Sequence, residues 1–248
     1  MSTKIEGKYS GQGNRLIFND PYNKHETVLP VANVVLTDDF LGKALETVVK
    51  WTTKDTSAVG STTPALVADG ASGILTCMLD ATNEKQESGL YGNDDRNLVL
   101  NQGLIAEFRI RPAVLPTGQA ELYFGLAGNY VEGPIAEADA GPAEHILFCF
   151  DGSGAIKIFT DDTANDNNAV ATGVTLLASE WAVCRIDCAD PANVLFFING
   201  ERVASSTTFN MSTVAALALQ LFIMAHKETG TGLGTLYVDY VRIWQNRS

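Results

Sequence analysis

Two acidic loops contain the side chains of this sequence that are best suited to hold a metal ion. The first reads Gly-Asn-Asp-Asp-Arg-Asn over 92–97, and the second reads Asp-Asp-Thr-Ala-Asn-Asp-Asn-Asn over 161–168. Calcium takes about six to eight oxygen ligands, which Asp161, Asp162 and Asp166 can supply together with the neighbouring asparagines. The loop lacks the glycine that an EF-hand requires. Asp and Asn also occur in hairpin loops because they accept turn geometry, so a calcium site and a plain turn both remain open.

The cysteines and histidines form no recognisable site. The histidines are scattered and suggest no metal, and each cysteine lies in an apolar, strand-like context outside any CxxC pair. We predict that the cysteines are free, buried thiols that pack as small hydrophobic side chains. No serine or cysteine has a neighbouring histidine, and no phosphate-binding glycine loop or basic aromatic patch is present. We therefore expect no enzyme activity. The four cysteines are Cys77, Cys149, Cys184 and Cys188, and the three histidines are His25, His145 and His226.

Charge excludes several classes of partner. The chain has 29 acidic and 17 basic residues, a formal net charge of −12. Such a surface repels phosphate backbones and anionic lipids, so we expect neither nucleic acid nor a membrane as partner. No run of eighteen apolar residues is present, and the polar start, Met1 to Tyr9, lacks the apolar part of a signal peptide. These features predict a protein that is made in a cytoplasm and does not use ordinary secretion.

Short apolar runs separated by Gly, Pro, Asn and Asp predict an all-β chain. Residues 104–111 alternate between apolar and charged side chains, and Asn199-Gly200 is typical of a two-residue hairpin turn. The stretch 213–226 is rich in Ala and Leu but alternates at period two, so we predict a strand there as well. Without helical crossovers, the strands should form antiparallel sheets packed face to face. Trp51, Trp181 and Trp244 lie in apolar contexts and are predicted to pack in the core.

The C-terminal stretch, 234–244, predicts a strand in the interior of a sheet. Leu236, Val238 and Tyr240 are expected to point inward, and the change of apolar parity from Val241 and Ile243 predicts either a bulge or a strand buried on both faces. Because such an apolar strand would promote aggregation at a free sheet edge, we expect an early strand, near 37–41, to lie beside it.

The first 35 residues differ in character from the rest. They are polar and show no sustained periodicity, which predicts an extended N-terminal arm over 1–35 and one globular domain over 36–248. We expect the arm to cross its own domain or a neighbouring subunit, which implies a homo-oligomer. Its short apolar patch is the predicted partner-binding segment and consists of Arg15, Leu16, Ile17 and Phe18.

Several motifs occur in the order found in one fold family. Asp38-Asp39-Phe40 is followed by the strand-like 103–112 with a G-x-x-x-E-x-R-I-R-P pattern, by the hairpin of 194–200, and by Val-Asp-Tyr-Val-Arg-Ile-Trp at 238–244. Over about residues 36–246 the chain resembles the concanavalin A-like (laminin G-like) jelly-roll family, the fold of legume lectins, pentraxins and family 16 glucanases. The resemblance implies an antiparallel two-sheet jelly-roll sandwich.

The glucanases of that family resemble one another in a Glu-x-Asp-x-Glu strand, whose two glutamates act on the sugar. The segment most similar to this motif, Glu137-Ala138-Asp139-Ala140-Gly141, lacks the third acidic residue. Glu121, on a predicted strand, supplies only one carboxylate. The resemblance therefore does not extend to the catalytic pair.

Jelly-roll proteins without a signal peptide resemble virion proteins of tailed phages. We therefore predict a non-enzymatic capsid decoration (cement) protein on the outer capsid surface, which binds the major capsid protein or another virion protein through its arm. The alternative is a carbohydrate-binding, lectin-like module on a phage fibre or cell surface, with a glycan as partner. A third interpretation, less favoured, is a family 16-like glycoside hydrolase.

Overall fold

A computed structural model describes residues 16–20, 25–29, 34–47, 50–68, 73–135, 141–214 and 218–246. Within these ranges the helical residues are confined to two 3-10 turns, Leu100–Gln102 and Ser212–Val214. No described helix has the length and apolar character needed to cross a membrane. In chain order the strands are β1 (Leu16–Asp20), β2 (His25–Leu29), β3 (Val34–Asp38), β4 (Thr52–Asp55), β5 (Ala65–Leu66), β6 (Leu75–Leu79), β7 (Gln86–Tyr91), β8 (Leu98–Val99), β9 (Leu104–Val114), β10 (Glu121–Ala127), β11 (Glu144–Phe150), β12 (Ala155–Asp162), β13 (Asp166–Thr175), β14 (Ala182–Cys188), β15 (Leu195–Ile198), β16 (Glu201–Val203), β17 (Ala218–Lys227) and β18 (Gly234–Gln245).

Two antiparallel sheets contain the strands that follow β2. Sheet I has the order β13-β12-β11-β10-β17-β7-β4, and β8 also pairs with β17. Sheet II has the order β16-β15-β14-β9-β18-β6-β5, and β3 also pairs with β18. Strands β1 and β2 pair with each other. The predicted all-β, antiparallel two-sheet architecture is confirmed.

The core lies between the sheets, where each presents an apolar face. A chain of phenylalanine rings crosses it from Phe108 of β9 through Phe124 and Phe148 to Phe196 of β15, with successive ring centroids 5.7, 5.3 and 5.3 Å apart. Edge-to-face and offset contacts of this kind add to the free energy gained from burying the rings. All four cysteines are buried and free, as predicted.

Strand β18 is interior to sheet II, as predicted. It pairs with β9 on one side and with β6 and β3 on the other. Its register against β9 shifts between Val238 and Tyr240, which confirms a bulge. Leu236, Val238 and Val241 are buried, but Tyr240 is only half-buried and lies outside the core. The prediction for Tyr240 is wrong because the bulge precedes this residue.

The three tryptophans divide between two environments. Trp51 is buried, and its indole Nε1 donates a hydrogen bond to Asp38 Oδ2 at 2.6 Å. Trp181 and Trp244 are half-buried on the outward face of sheet II, so the prediction that they are core residues is wrong. Strand alternation explains the difference, because their neighbours Ala182 and Ile243 occupy the inward positions.

Two local predictions near the end of the chain have different outcomes. The Asn199-Gly200 turn joins β15 to β16 with φ of 51° and 87°, as a type I′ turn requires. The strand predicted over 213–226 is present but begins later than predicted. It starts at Ala218, which pairs with Val99 of β8, and a 3-10 turn over Ser212–Val214 precedes it.

Candidate functional site

The segment that follows β10 covers part of the outward face of sheet I. Tyr130 stacks on Tyr91 with ring centroids 4.9 Å apart, and its backbone N–H donates to Asp94 Oδ1 at 2.8 Å. Ile135 packs with Phe222 and other side chains in a second, smaller hydrophobic cluster on this face. Polar side chains beneath the segment are therefore shielded from water although they point away from the main core.

Three adjacent strands of sheet I place a glutamate, a histidine and a second glutamate in one row. The antiparallel register pairs Glu121 of β10 with His226 of β17, and His226 with Glu87 of β7. Directly opposite residues share a face of the sheet, so the three side chains are neighbours. Glu87 and His226 are each only 1% exposed.

Glu87 is the centre of a buried hydrogen-bond network. Its carboxylate accepts hydrogen bonds from the Tyr130 hydroxyl, from the Gly133 N–H at 2.9 Å and from His226 Nδ1 at 3.0 Å. Burial raises the pKa of Tyr130, and the hydrogen bond to Glu87 raises it further. A buried carboxylate is tolerated when donors satisfy its oxygens, as here. The network fixes both the covering segment and the histidine ring.

The second ring nitrogen of His226 faces the other way. Since Nδ1 donates to Glu87, Nε2 is the nitrogen left to interact with other groups. Nε2 is buried and has no hydrogen-bond partner among the described residues. The nearest carboxylate oxygen, Glu228 Oε2, is 3.7 Å away, beyond hydrogen-bonding distance. His226 thus presents an oriented, unsatisfied polar atom.

A cleft of about 350 Å³ opens beside this histidine. His226, Glu121 and Glu228 form one part of its lining. Glu121 accepts a hydrogen bond from the buried Tyr123 hydroxyl, which restricts the carboxylate. The remaining lining comes from Gly118, Gln119, Ala120, Pro134, Cys149, Phe150, Asp151, Gly152, Lys157, Phe159, Asn168 and Ala169.

The far wall of the cleft is polar as well. Lys157 Nζ lies 3.1 Å from Asp151 Oδ2, so its positive charge is balanced within the wall. Phe159 adds an apolar surface. The cleft lining therefore combines hydrogen-bond acceptors, a histidine and two phenylalanines, an arrangement suited to a polar organic ligand and to acid–base chemistry.

The predicted calcium loop forms the hairpin between β12 and β13. Asp162 is fully buried, and its carboxylate accepts the N–H groups of Asn165 at 2.6 Å and Thr213 at 3.0 Å. Burial by itself would raise the pKa of Asp162, but these hydrogen bonds hold it below its usual value. Asp161 accepts the Thr163 N–H, and Asp166 accepts the Asn168 amide. These contacts match the plain-turn interpretation, and the described residues contain no group of three or more His, Cys, Asp or Glu placed to hold a metal.

The other predicted site residues fall at the margins of the described structure. Arg15 and the acidic segment 137–140 lie outside the described residues. Leu16, Ile17 and Phe18 belong to β1, where only the backbone is described. The role of the arm and the domain boundary after residue 35 therefore stay predictions.

Sequence reasoning named Glu121 as a lone carboxylate and missed its neighbours. Glu87 and His226 lie on separate strands, and only the order of sheet I brings them beside Glu121. A signal was present in the Gln-Glu-Ser run at 86–88 and in the His-Lys pair that ends the apolar stretch of β17. Neither indicates burial without knowledge of the covering segment.

Comparison with known proteins identifies the fold. Neither a family model nor a curated protein sequence matches the chain. Among solved structures, an endo-acting O-glycanase from work on mucin breakdown by the human gut microbiota is similar at a TM-score of 0.57 and 14% identity, over 86% of this chain and 99% of that one.

Two further structures share the same architecture. The carbohydrate recognition domain of Emp46p superimposes with a TM-score of 0.54 at 10% identity, covering 85% of this chain and 96% of the other. The endo-1,3-β-glucanase of Streptomyces sioyaensis also has a TM-score of 0.54, at 14% identity over 88% and 97% of the two chains. At these identities the likeness establishes the fold alone. The chain therefore has the concanavalin A-like jelly-roll fold found in lectin domains and glucanases.

Proposed function

We propose that this protein binds carbohydrate in the cleft on the outward face of sheet I. The observation that carries the proposal is His226, a buried histidine of the cleft lining whose Nε2 has no hydrogen-bond partner among the described residues. A buried polar atom is costly to leave unsatisfied, and a ligand hydroxyl would satisfy it.

The cleft suits a sugar in size and chemistry. Ligand pockets commonly measure about 300–1,000 Å³, and this one is at the lower end with about 350 Å³. Glu121 and Glu228 offer acceptors for sugar hydroxyls, and Phe159 offers an apolar surface for the C–H groups of a ring. Similar structures include a carbohydrate recognition domain, an O-glycanase and a glucanase, which supports this ligand class.

Calorimetric titration with β-1,3-glucan oligosaccharides and mucin-type O-glycans tests the proposal. We expect binding by the wild-type protein and a loss of about tenfold or more in Glu121→Gln, since hydrogen bonds to a charged group contribute about 1.5–3 kcal/mol. Glu201→Gln, a change of an exposed residue of sheet II, is the matched control and should leave affinity unchanged. Binding that is equal in both variants would place the ligand elsewhere.

Hydrolysis of a glycosidic bond is a second candidate, favoured by one observation. Two carboxylates, Glu121 and Glu228, line the cleft together with His226, and glycosidases act through a pair of carboxyl groups. Incubation of wild-type protein with the same oligosaccharides, followed by product analysis, tests this directly. Turnover by the wild type that disappears in Glu121→Gln and persists in Glu201→Gln would establish an enzyme, whereas binding without turnover would leave a lectin-like module.

A role in capsid decoration stays a separate proposal. It rests on the polar N-terminal segment and on the absence of a recognisable catalytic motif in the sequence, and the named structural neighbours do not bear on it. Deleting residues 1–35 and measuring oligomeric state and binding to undecorated capsids tests it. Loss of particle binding by a truncated protein that remains folded would support the arm as the attachment segment.

A further inference from the structure

The outward face of sheet II carries a regular set of arginine and aromatic side chains, which we call the arginine face. Strand alternation directs every second residue of β9, β14, β15, β16 and β18 outward. The face contains five arginines, Arg109, Arg111, Arg185, Arg202 and Arg242, and the rings of Trp181, Phe197, Tyr237 and Tyr240.

Four of these guanidinium groups lie over aromatic rings. Arg111 lies between two of them, 5.0 Å from the Trp181 centroid and 4.9 Å from that of Tyr237. Arg109 also lies over Trp181 at 4.7 Å. Arg185 is 4.1 Å from the Phe197 ring and Arg242 is 4.3 Å from the Tyr240 ring. Stacking holds each planar group in place, so less conformational entropy is lost when it binds a partner.

Carboxylates lie near some of these arginines, because Glu107 is directly opposite both Arg185 and Arg242 in the strand register. Within the described part of the chain, Arg109 is the arginine of this face that forms a salt bridge, with Asp239. The Nε atoms of Arg111 and Arg185 are buried and have no hydrogen-bond partner among the described residues. Oriented guanidinium groups that form no salt bridge are suited to carboxylate, sulfate or phosphate.

The aromatic faces argue against a neutral sugar at this surface. Sugars bind proteins largely by stacking on exposed rings, and here guanidinium groups already lie over the rings.

The N-terminal segment of the same chain is not complementary to the arginine face in charge. Residues 1–33 contain four basic and three acidic residues. Trp, Tyr and Arg are, by contrast, the residue types enriched at the energetic centres of protein–protein interfaces.

We propose that the arginine face is a docking surface for an acidic segment of a partner protein. Carboxylates of the segment would pair with the stacked guanidinium groups of Arg111 and Arg185, neither of which forms a salt bridge within the described part of the chain. This inference is independent of the carbohydrate proposal, because it concerns the opposite sheet and a different ligand class.

Fluorescence anisotropy with labelled poly-L-glutamate as probe tests the docking surface. We expect wild-type protein to bind poly-L-glutamate at low ionic strength and to release it as salt is added. The double variant Arg111→Gln, Arg185→Gln should bind at least about tenfold more weakly, since two charge-assisted pairs are lost. The matched control is Lys43→Gln, Arg96→Gln, which removes two exposed positive charges outside the face and should change affinity less than about twofold.

Thermal melts of both double variants show whether they remain folded, and the exposed Arg242→Gln provides a second variant that does not disturb half-buried side chains. Three results would overturn the proposal. These are absence of poly-L-glutamate binding by the wild type, equal binding by the arginine and control variants, and tighter binding of heparin than of poly-L-glutamate. Concentration-dependent self-association that the arginine variant abolishes would instead assign the face to a second copy of this chain.

Discussion

The outward faces of the two sheets differ in how they accommodate polar and charged side chains. On sheet I, residues 128–135 cover the face, and Glu87 and His226 beneath them are buried in a closed hydrogen-bond network. On sheet II no described segment covers the face, and half-buried arginines are arranged over aromatic rings. The covered face gains an oriented histidine beside an acidic cleft, whereas the face of sheet II carries arginines stacked on aromatic rings, with Glu107 and Asp239 among them.

This difference predicts that single changes on the two faces have very different costs. Polar groups in the network of sheet I have no access to water, so removing one leaves its hydrogen-bond partners unsatisfied. Side chains on the outward face of sheet II can be rehydrated when a neighbour is removed. The predictions below test that contrast, beginning with the largest expected effect.

Glu87→Ala should cause the largest loss of stability. It leaves the Tyr130 hydroxyl, the Gly133 N–H and His226 Nδ1 without their acceptor, and each buried group left unsatisfied costs about 1–3 kcal/mol. Urea denaturation measures the change. The control on the other sheet is Glu201→Ala, an exposed residue of β16, for which we expect less than about 0.5 kcal/mol. Similar costs for the two variants would remove the contrast between the faces.

Lys227→Met should be the next most destabilising change. Lys227 is fully buried at the end of β17, and its Nζ donates to the backbone carbonyls of Asp80 at 2.5 Å, Thr82 at 2.8 Å and Gly232 at 3.3 Å. Methionine retains the apolar stem but leaves these acceptors unsatisfied, for a loss of about 2–3 kcal/mol.

The same denaturation experiment on Arg242→Met gives the comparison for sheet II. Arg242 is exposed and stacks on Tyr240, so we expect less than about 1 kcal/mol. A larger loss for Arg242→Met than for Lys227→Met would contradict the account.

The two sheets also differ in how well the sequence predicts them. Residues 104–113 of β9 alternate between buried and half-buried, so their periodicity indicates both the strand and its inward face. Strands β10, β11 and β17 are buried on both faces after their first residue, and they appear in the sequence as apolar runs. The fold class, the Asn199-Gly200 turn and the interior position of β18 were therefore predictable.

The candidate site was not predictable because its parts are distant along the chain. Glu87, Glu121 and His226 meet only through the strand order β10-β17-β7, and their burial depends on Tyr130 and its neighbours. Local periodicity carries no information on strand order. Trp181 was assigned to the core for a related reason, since an apolar context does not distinguish a core ring from one stacked beneath arginines.

Gly200→Ala should have a smaller effect that depends only on the backbone. Gly200 has φ of 87° in the turn at the end of β15, and a Cβ there would meet no atom within 4 Å. The expected cost is therefore that of placing alanine in the left-handed region, about 1 kcal/mol. Measurement by denaturation should show no change in the sheet I network, as reported by His226 in NMR spectra. A loss of unfolding free energy above about 3 kcal/mol would contradict this account, because it would require a steric clash of the added Cβ.

Asp55→Asn should produce the smallest effect, visible only in acid. Burial alone would raise the pKa of Asp55, but hydrogen bonds from Ser57, Thr63 and Thr62 together lower it to about 2. A carboxyl with a lowered pKa in the folded state stabilises the fold above its ordinary pKa, near 4, and the stabilisation is lost as pH falls toward 2. Because Asp55 is exposed, we expect a few tenths of a kcal/mol.

The measurement for Asp55 is denaturation of wild type and Asp55→Asn at pH 6 and at pH 2.5. The difference in unfolding free energy between the proteins should shrink at the lower pH. A difference that grows as pH falls would contradict the assigned sign.

The central claim, that the cleft of sheet I is the carbohydrate site, is tested most directly by mapping ligand-induced NMR shifts. Isotope-labelled wild-type protein would be titrated with β-1,3-glucan oligosaccharides and mucin-type O-glycans, and backbone amide and histidine side-chain signals would be followed. The account predicts shifts concentrated at 118–121, 149–157 and 226–228, with the Nε2 side of His226 among the largest. Shifts confined to the outward face of sheet II, or no shift with either glycan class, would contradict it.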